Sequence, residues 1–424
     1  MTCRCEPSEW PDGFTGALLG LESFRDAVVV LHGPTGCRGP HSALSERMLP
    51  RDDPRERLNF AERYFFGQPR IPTTYLDGQD IVFGARDKLL GALRHLHPVT
   101  AGPLALVQSP GAALIGDDLR ACAAEAMPGR PCAVVELPSL SRPFAEGYQQ
   151  GVRAFLEAAG LPRAAVAPRT VALVGLSIAH AQWEGNVLEL TRLLERCGLE
   201  VVCALGAGAD LAACRRLASA AVVATVHRTY ADRLEPWLRG RLPGSWVDSE
   251  AGAPIGFAAT EAWVRAVAAA AGVEPAPALA DLLDSRRRLA RLLNLAAGSV
   301  DTLRGEPFAL RLDADLAWPL AQWLYHYLGM LPGAVDVTQG SEPRLEAWLD
   351  AIGCTDAWQR SWSASDASVL LADGPSAAQA RMGGLPAIEL SFPADPIPAF
   401  LPEPWLGGRG AVRLVEQIAR AVLG

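Results

Sequence analysis

The segment TVALVGLSIAHAQWEGNVLELTRLLERCGLEVVCALGAGADLAACRRLASAAVVATV, residues 170–226, decides the fold. Val171–Gly175 is a short apolar run closed by a glycine, as expected of a buried strand. Asn186–Cys197 has helical periodicity, and Gly198 is placed to stop it. Glu200–Leu205 then predicts a strand, Leu211–Ala218 a helix and Ala221–Val226 another strand. Strand, helix and strand in steady alternation, joined by short loops, is the rhythm of a parallel α/β sheet.

The same rhythm extends in both directions. Upstream, Ala27–Leu31 is a continuous apolar run that ends in His32-Gly33-Pro34-Thr35-Gly36-Cys37, a buried strand feeding a tight loop. Pro103–Gln108 and Cys132–Leu137 predict two further strands. Between them Gly116-Asp117-Asp118 opens a helix, with both aspartates suited to its first turn. Downstream, Glu274 to Ala278 reads as a connector, and a long helix follows from Leu279 to Ala297, with Gly298 as its stop. A third unit has strands at Phe308–Leu312, Ala334–Thr338, Ser368–Ala372 and Ala387–Leu390. It also has helices at Ala317–Leu328, with Gly329 after it, and at Ala411–Leu423. The prediction is three Rossmann-like open parallel-sheet domains, residues 1–167, 168–300 and 301–424, with the last helix folding back on an earlier unit. Such sheets bind ligands at the carboxyl ends of their strands, so the cleft between units is the default site.

Composition narrows the function. The 424 residues are 50% hydrophobic and 20% charged, with a net charge of −8. That suits a globular chain with large cores and argues against nucleic acid, whose phosphates call for clustered Lys and Arg. No signal peptide and no run of about 18–20 apolar residues is apparent, so a soluble cytoplasmic protein without a membrane span is expected. Nine cysteines is an odd count for a disulfide framework. Cys122, Cys197, Cys203 and Cys214 lie in apolar patterns and read as core thiols. Cys3, Cys5 and Cys37 lie in loop-like sequence. The dipeptide Gly-Lys never occurs, so no phosphate loop for ATP is present. Gly206-Ala207-Gly208-Ala209 lacks the third glycine of a dinucleotide loop.

The informative segment is Gly33-Pro34-Thr35-Gly36-Cys37-Arg38-Gly39. Backbone amides around a cysteine after a glycine turn, Gly36 among them, can stabilise a thiolate or cluster sulfides. The residues alone leave two readings open: a cluster ligand, or a phosphate-type loop with an incidental thiol.

The order of motifs resembles the nitrogenase component 1 family over nearly the whole chain. His32-Gly33-Pro34-Thr35-Gly36-Cys37 is similar to the family's first cluster loop. Thr74-Tyr75-Leu76-Asp77-Gly78-Gln79-Asp80-Ile81-Val82-Phe83-Gly84, with Lys88-Leu89-Leu90, is similar to its "DLDEKDIVFG…KL" segment. Leu114-Ile115-Gly116-Asp117-Asp118 resembles its "IGDD" helix start. Pro254-Ile255-Gly256 with Thr260, and Gly407-Gly408-Arg409-Gly410-Ala411, resemble the ends of its second and third units.

The resemblance implies an iron–sulfur cluster, a [4Fe-4S] or larger P-cluster-like centre, shared with a partner subunit. Cys37 corresponds to the middle ligand of the family's full-cluster subunits. The ligand before "IGDD" falls on Pro110, which cannot bind iron. The upstream ligand falls near Asp12, where a carboxylate resembles one tetrapyrrole-reductase subunit. Cys3 and Cys5 lie just upstream and are further candidates. For Asp12, a turn former before Gly13 is the plain alternative. The cysteine that anchors the large cofactor in the second unit has its counterpart at or beside Val226. His227 next to it is either a ligand or a hydrogen-bonded structural residue.

These features point to a β-type subunit that pairs with a homologous α-type chain, as a heterodimer or heterotetramer. A separate ATP-hydrolysing Fe protein would supply its electrons. Expected substrates are a small molecule, of which a methylthio-alkane is the foremost, or a tetrapyrrole. A scaffold for metallocofactor assembly, and a cluster-free α/β binding protein, are the readings from other classes.

Overall fold

The computed structural model describes residues 11–50, 70–99, 102–136, 142–295, 303–392 and 400–423. In the first unit, α1 (Gly13–Glu22), β1 (Val28–His32), α2 (Thr35–Met48), α3 (Gly78–Phe83), α4 (Arg86–Val99), β2 (Leu104–Gln108), α5 (Leu119–Ala126), β3 (Cys132–Val135) and α6 (Phe144–Ala159) follow in order. Its sheet has the order β1-β2-β3. The second unit holds β4 (Ala167–Val174), α7 (Trp183–Arg196), β5 (Glu200–Ala204), α8 (Leu211–Leu217), β6 (Ala220–Thr225), α9 (Glu235–Arg239), β7 (Ser245–Val247), α10 (Gly256–Ala271) and α11 (Ala276–Leu295), with strand order β5-β4-β6-β7. The third holds β8 (Pro307–Leu312), α12 (Ala314–Trp323), β9 (Leu331–Val337), α13 (Pro343–Ala351), β10 (Val369–Asp373), α14 (Gly374–Met382), β11 (Ala387–Ser391) and α15 (Gly407–Leu423), in the order β11-β10-β8-β9. Every strand pairing among the described residues is parallel. The central strands β2 and β10 are buried at every position, as a sheet covered by helices on both faces requires. The three-unit α/β fold is therefore as expected.

Several elements differ from their sequence reading. The segment after β1 is not a loop. Pro34 occupies the N-cap and α2 starts at once, so Cys37 stands in a first helical turn. Asp118 alone caps α5, accepting from Ala121 N at 2.8 Å. Asp117 lies outside that helix and accepts from Ala85 N at 3.0 Å. The expected connector before Leu279 is already helical from Ala276. The helix expected through Leu328 changes at Leu324 to a π turn, Leu324–Leu328.

α1 was not anticipated, and it packs on α6 backbone to backbone. A Cβ on Gly16 would lie 2.1 Å from Phe144 O, and one on Gly147 would lie 1.9 Å from Gly13 O. Gly20 and Gly151 repeat the pattern against Tyr148 O and Ala17 O. Glycine on both helices is what allows this approach.

The C-terminal helix returns to the second unit, as the sequence predicts. Asn186 Oδ1 accepts from Trp405 N at 2.7 Å and Leu406 N at 3.0 Å. Gly407 N donates to Pro254 O at 2.8 Å. The units are joined elsewhere too: Trp183 Nε1 donates to Met48 O at 2.6 Å, and Ala145 N to Gln339 Oε1 at 3.1 Å. No helix among the described residues is long and apolar enough to cross a membrane.

Candidate functional site

Cys37 is half-buried, and its neighbours Thr35 and Gly36 are exposed. No side chain caps α2; the Cys37 amide donates to Pro34 O at 3.2 Å, which leaves the amides of Thr35 and Gly36 to face an anion. The carbonyl of Cys37 receives His41 Nδ1 at 2.5 Å, one helical turn on. His41 Nε2 faces Thr15 Oγ1 at 3.1 Å. Thr15 in turn donates to Asp12 Oδ1 from its amide, at 2.9 Å, and from its hydroxyl, at 3.0 Å. Asp12 is thus the N-cap of α1, which matches its reading as a local turn former. A chain of hydrogen bonds through Thr15 and His41 also brings it into the surroundings of Cys37. Burial pulls the His41 imidazole down and pushes the Cys37 thiol up. Cys3 and Cys5 lie outside the described residues. His41 and Thr15 were missed from sequence; the four-residue step from Cys37 to His41 on one helix face was the available signal.

The motifs around Cys37 hold the turn in place. Thr73 Oγ1 donates to Gly33 O at 2.7 Å, and Gly33 N to Thr74 Oγ1 at 3.1 Å. Asp77 caps α3 in a reciprocal box with Asp80. Lys88 Nζ reaches both, at 2.9 and 2.6 Å. His32 is fully buried, with Nε2 3.3 Å from Asp117 Oδ2. Burial pulls His32 down and Asp117 opposes that shift. Tyr75 takes a left-handed φ of 53° and receives Arg38 Nη1 on its hydroxyl at 2.8 Å. Beside this framework, Ile81, Val82 and Phe83 on α3 are 59%, 73% and 82% exposed, and Leu114 is 86% exposed. Consecutive large apolar side chains left in water mark an interaction face.

A second feature lies where the three units meet. A cavity of about 360 Å³ is lined by Arg47 from the first unit, His180 from the second, and Arg381, Glu389, Trp405 and Arg413 from the third. Gln182 on its wall takes a left-handed φ of 59°, a backbone state found often at functional positions. His180 Nε2 faces Asp313 Oδ2 at 3.0 Å, and its ring stacks on His227 at 4.5 Å. Burial pulls His227 well down, so it is neutral. The structure therefore places His227 as a stacked core residue.

Asp315 lies behind this cluster and accepts from Thr229 N at 2.7 Å. Burial pushes its carboxyl from an ordinary value of 3.8 up to about 6. The folded chain holds this proton more tightly than the unfolded chain. Stability is thus greatest below the lower value, falls as pH rises towards about 6 and then levels. Asp315→Asn keeps an acceptor for Thr229 and removes the penalty. The variant should gain up to about 3 kcal/mol at pH 8 and clearly less at pH 5. Thermal melts at both values test this, and equal gains would refute it.

Among the described residues no group of three or more His, Cys, Asp or Glu is placed to hold a metal ion. One thiol, open amides and an adjacent apolar face fit part of a ligand set completed from elsewhere, not a whole one. The profile of nitrogenase component 1 type oxidoreductases matches residues 13–423. The chain belongs to that family. It is 30% identical to one of the subunits of the light-independent protochlorophyllide reductase of Methylobacterium sp. (strain 4-46), over 63% of this chain and 50% of that protein. It is also 30% identical to the Ni-sirohydrochlorin a,c-diamide reductive cyclase complex component CfbD of Methanothermobacter thermautotrophicus, over 35% of this chain and 36% of that one. The chain spans half or less of the length of these curated relatives. The solved structure "Nitrogenase Cp1 at pH 6.5" shares the fold, with a TM-score of 0.77 at 17% identity, covering 100% of this chain and 95% of that one.

Proposed function

We propose that this family member is a β-type subunit of a nitrogenase-like reductase. Cys37 supplies one ligand to an iron–sulfur cluster shared with a homologous subunit, and a separate ATP-hydrolysing protein supplies electrons. The observation that carries this reading is the position of Cys37: at the open start of α2, half-buried, beside the apolar face of Ile81, Val82, Phe83 and Leu114. A bound cluster supplies one-electron transfer. The chain's own residues would hold it by the Cys37 thiolate and the amides of Thr35 and Gly36, with Asp12, Cys5 and Cys3 as further candidates. Substrate would bind in the cavity between the units. Its 360 Å³ is near the lower end for small-molecule sites, which supports a small substrate such as a methylthio-alkane. A tetrapyrrole substrate is the second reading, and the names of the relatives favour it.

The test is anaerobic co-purification with the neighbouring subunit, iron and sulfide analysis, and turnover with the ATP-hydrolysing donor. The small-molecule reading expects alkane and thiol from a methylthio-alkane, with two electrons and two protons consumed. Bleaching of a protochlorophyllide band without C–S cleavage would move the assignment to the second reading. Full-rate reduction with dithionite alone would refute the electron scheme.

The apolar face makes its own prediction. Val82→Asp with Phe83→Asp places two charges where both side chains are already exposed, so folding is expected to be unchanged. If the face is the subunit interface, buried charge there costs several kcal/mol. Sedimentation should show the complex shifted to free subunits. An unaltered complex would show that the face serves something else.

A further inference from the structure

Tyr75 takes a costly backbone state beside the Cys37 helix. Its φ of +53° lies in the left-handed region, where a bulky aromatic residue is a steric outlier. This is not a loose loop, because both neighbours of Tyr75 are pinned. Thr74 N donates to Leu31 O at 3.2 Å, and Thr74 Oγ1 accepts from Gly33 N at 3.1 Å. Leu76 N donates to Gly33 O at 3.2 Å. Burial of the ring does not repay the strain either, since Tyr75 is 52% exposed.

What the strained backbone achieves is contact with Arg38. Arg38 Nη1 donates to the Tyr75 hydroxyl at 2.8 Å, and its Cζ lies 5.6 Å from the centre of the Tyr75 ring. Arg38 directly follows Cys37 in the first turn of α2, so their Cα atoms are about 3.8 Å apart. Among the described residues no carboxylate pairs with it. Asp77 and Asp80 beside Tyr75 are both taken by Lys88, at 2.9 and 2.6 Å. A hydroxyl and a ring face orient a guanidinium without cancelling its charge. A fixed, uncancelled cation therefore stands next to the candidate ligand thiol.

We infer that Tyr75 is a positioning residue for Arg38, and that Arg38 raises the reduction potential of the centre held by Cys37. This rests on the cluster reading proposed above. One electron arrives from the ATP-hydrolysing donor, no bond forms or breaks, and the site becomes one charge more negative. A fixed cation favours that reduced state over the oxidised one. At an effective dielectric constant of about 20, a unit charge within about 12 Å changes the ratio of reduced to oxidised centres about tenfold. Tyr75 keeps the guanidinium in place instead of free in solvent, where salt would screen it.

The experiment is an EPR-monitored redox titration of the complex with its partner subunit, purified without oxygen, with iron measured on each sample. Arg38→Gln should keep its iron. At the parent's midpoint potential its reduced-to-oxidised ratio should be about tenfold lower, a downward shift of about 59 mV for one electron. Arg38→Lys keeps the charge without the fork and should stay within about threefold of the parent. Tyr75→Gly separates positioning from a structural role. Glycine accepts the left-handed φ without strain, so this variant should melt no lower than the parent, yet its ratio should fall about threefold as Arg38 is freed. A ring kept only for stability predicts the opposite, lower melting at the parental potential. A parental midpoint in Arg38→Gln or in Tyr75→Gly overturns the inference. So does loss of iron from Arg38→Gln, which would make Arg38 a structural support. A parent complex without iron refutes the cluster reading and this inference with it; iron with unmoved midpoints refutes this inference alone.

Discussion

Cys37→Ala is expected to abolish the iron centre while leaving the fold intact. The side chain is half-buried at the first turn of α2. Replacing its sulfur by hydrogen costs little burial, and alanine is favoured in a helix. Cys122 and Cys132 belong to a different core cluster, and burial pushes Cys132 up to about 12. The variant complex, purified without oxygen, should carry none of the iron attributable to the shared cluster and no low-temperature EPR signal from it. Circular dichroism should match the parent. Retention of full iron with an unchanged spectrum would remove the main support for an electron-relay role. Asp12 needs a different substitution, because Asp12→Ala also breaks the N-cap of α1 at about 1 kcal/mol. Asp12→Asn keeps the acceptor for Thr15 and removes the charge. A shifted EPR signature in that variant would mark a carboxylate ligand; an unchanged one would leave Asp12 with its capping role alone.

The strands and most helices were legible because each is a local pattern. β1, β2, β6 and β10 are short apolar runs with glycine or polar residues at their ends, and nothing distant is needed to recognise them. What escaped reading depends on contacts far along the chain. Asp117 looks like a first-turn aspartate. Its carboxylate instead serves the Ala85 amide and faces His32, residues separated from it by 32 and 85 positions. The turn at Gly33-Pro34-Thr35-Gly36 contains three helix breakers, yet a proline at the N-cap and a glycine in the first turn are compatible with a helix start. Cys37 stands out in the sequence as a thiol beside glycines and a proline, but the side chains around it do not. His41 and Thr15 touch only because α1 and α2 lie side by side. The cavity between the units was foreseen as a location, whereas its arginines come from separate units and share no local motif.

α1 is the clearest case, and it gives the other large prediction. Gly13, Gly16 and Gly20 lower its intrinsic helix propensity by about 1 kcal/mol each relative to alanine, so the sequence argues against a helix there. The helix forms because those positions face α6 with no side chain between the backbones. Gly147→Ala should be severely destabilising for the same reason. Its Cβ would sit 1.9 Å from Gly13 O and 2.6 Å from Gly13 C, and backbone cannot rotate away as a side chain can. The helices must part, losing contact along the whole seam. Overpacking costs typically about 1–3 kcal/mol and more where backbone must move, against about 1 kcal/mol of helix propensity gained. Gly91→Ala is the control. Gly91 lies within α4, where an added Cβ meets nothing within 4 Å, so propensity alone should stabilise that variant by about 0.5–1 kcal/mol. The two changes are chemically identical and should move urea midpoints in opposite directions. Because Gly13 directly follows Asp12, parting the helices also displaces the Asp12, Thr15 and His41 chain behind Cys37. Gly147→Ala complexes should therefore lose iron faster on dilution than the parent, even where the fold survives. A midpoint equal to the parent's would show that α1 and α6 do not approach this closely.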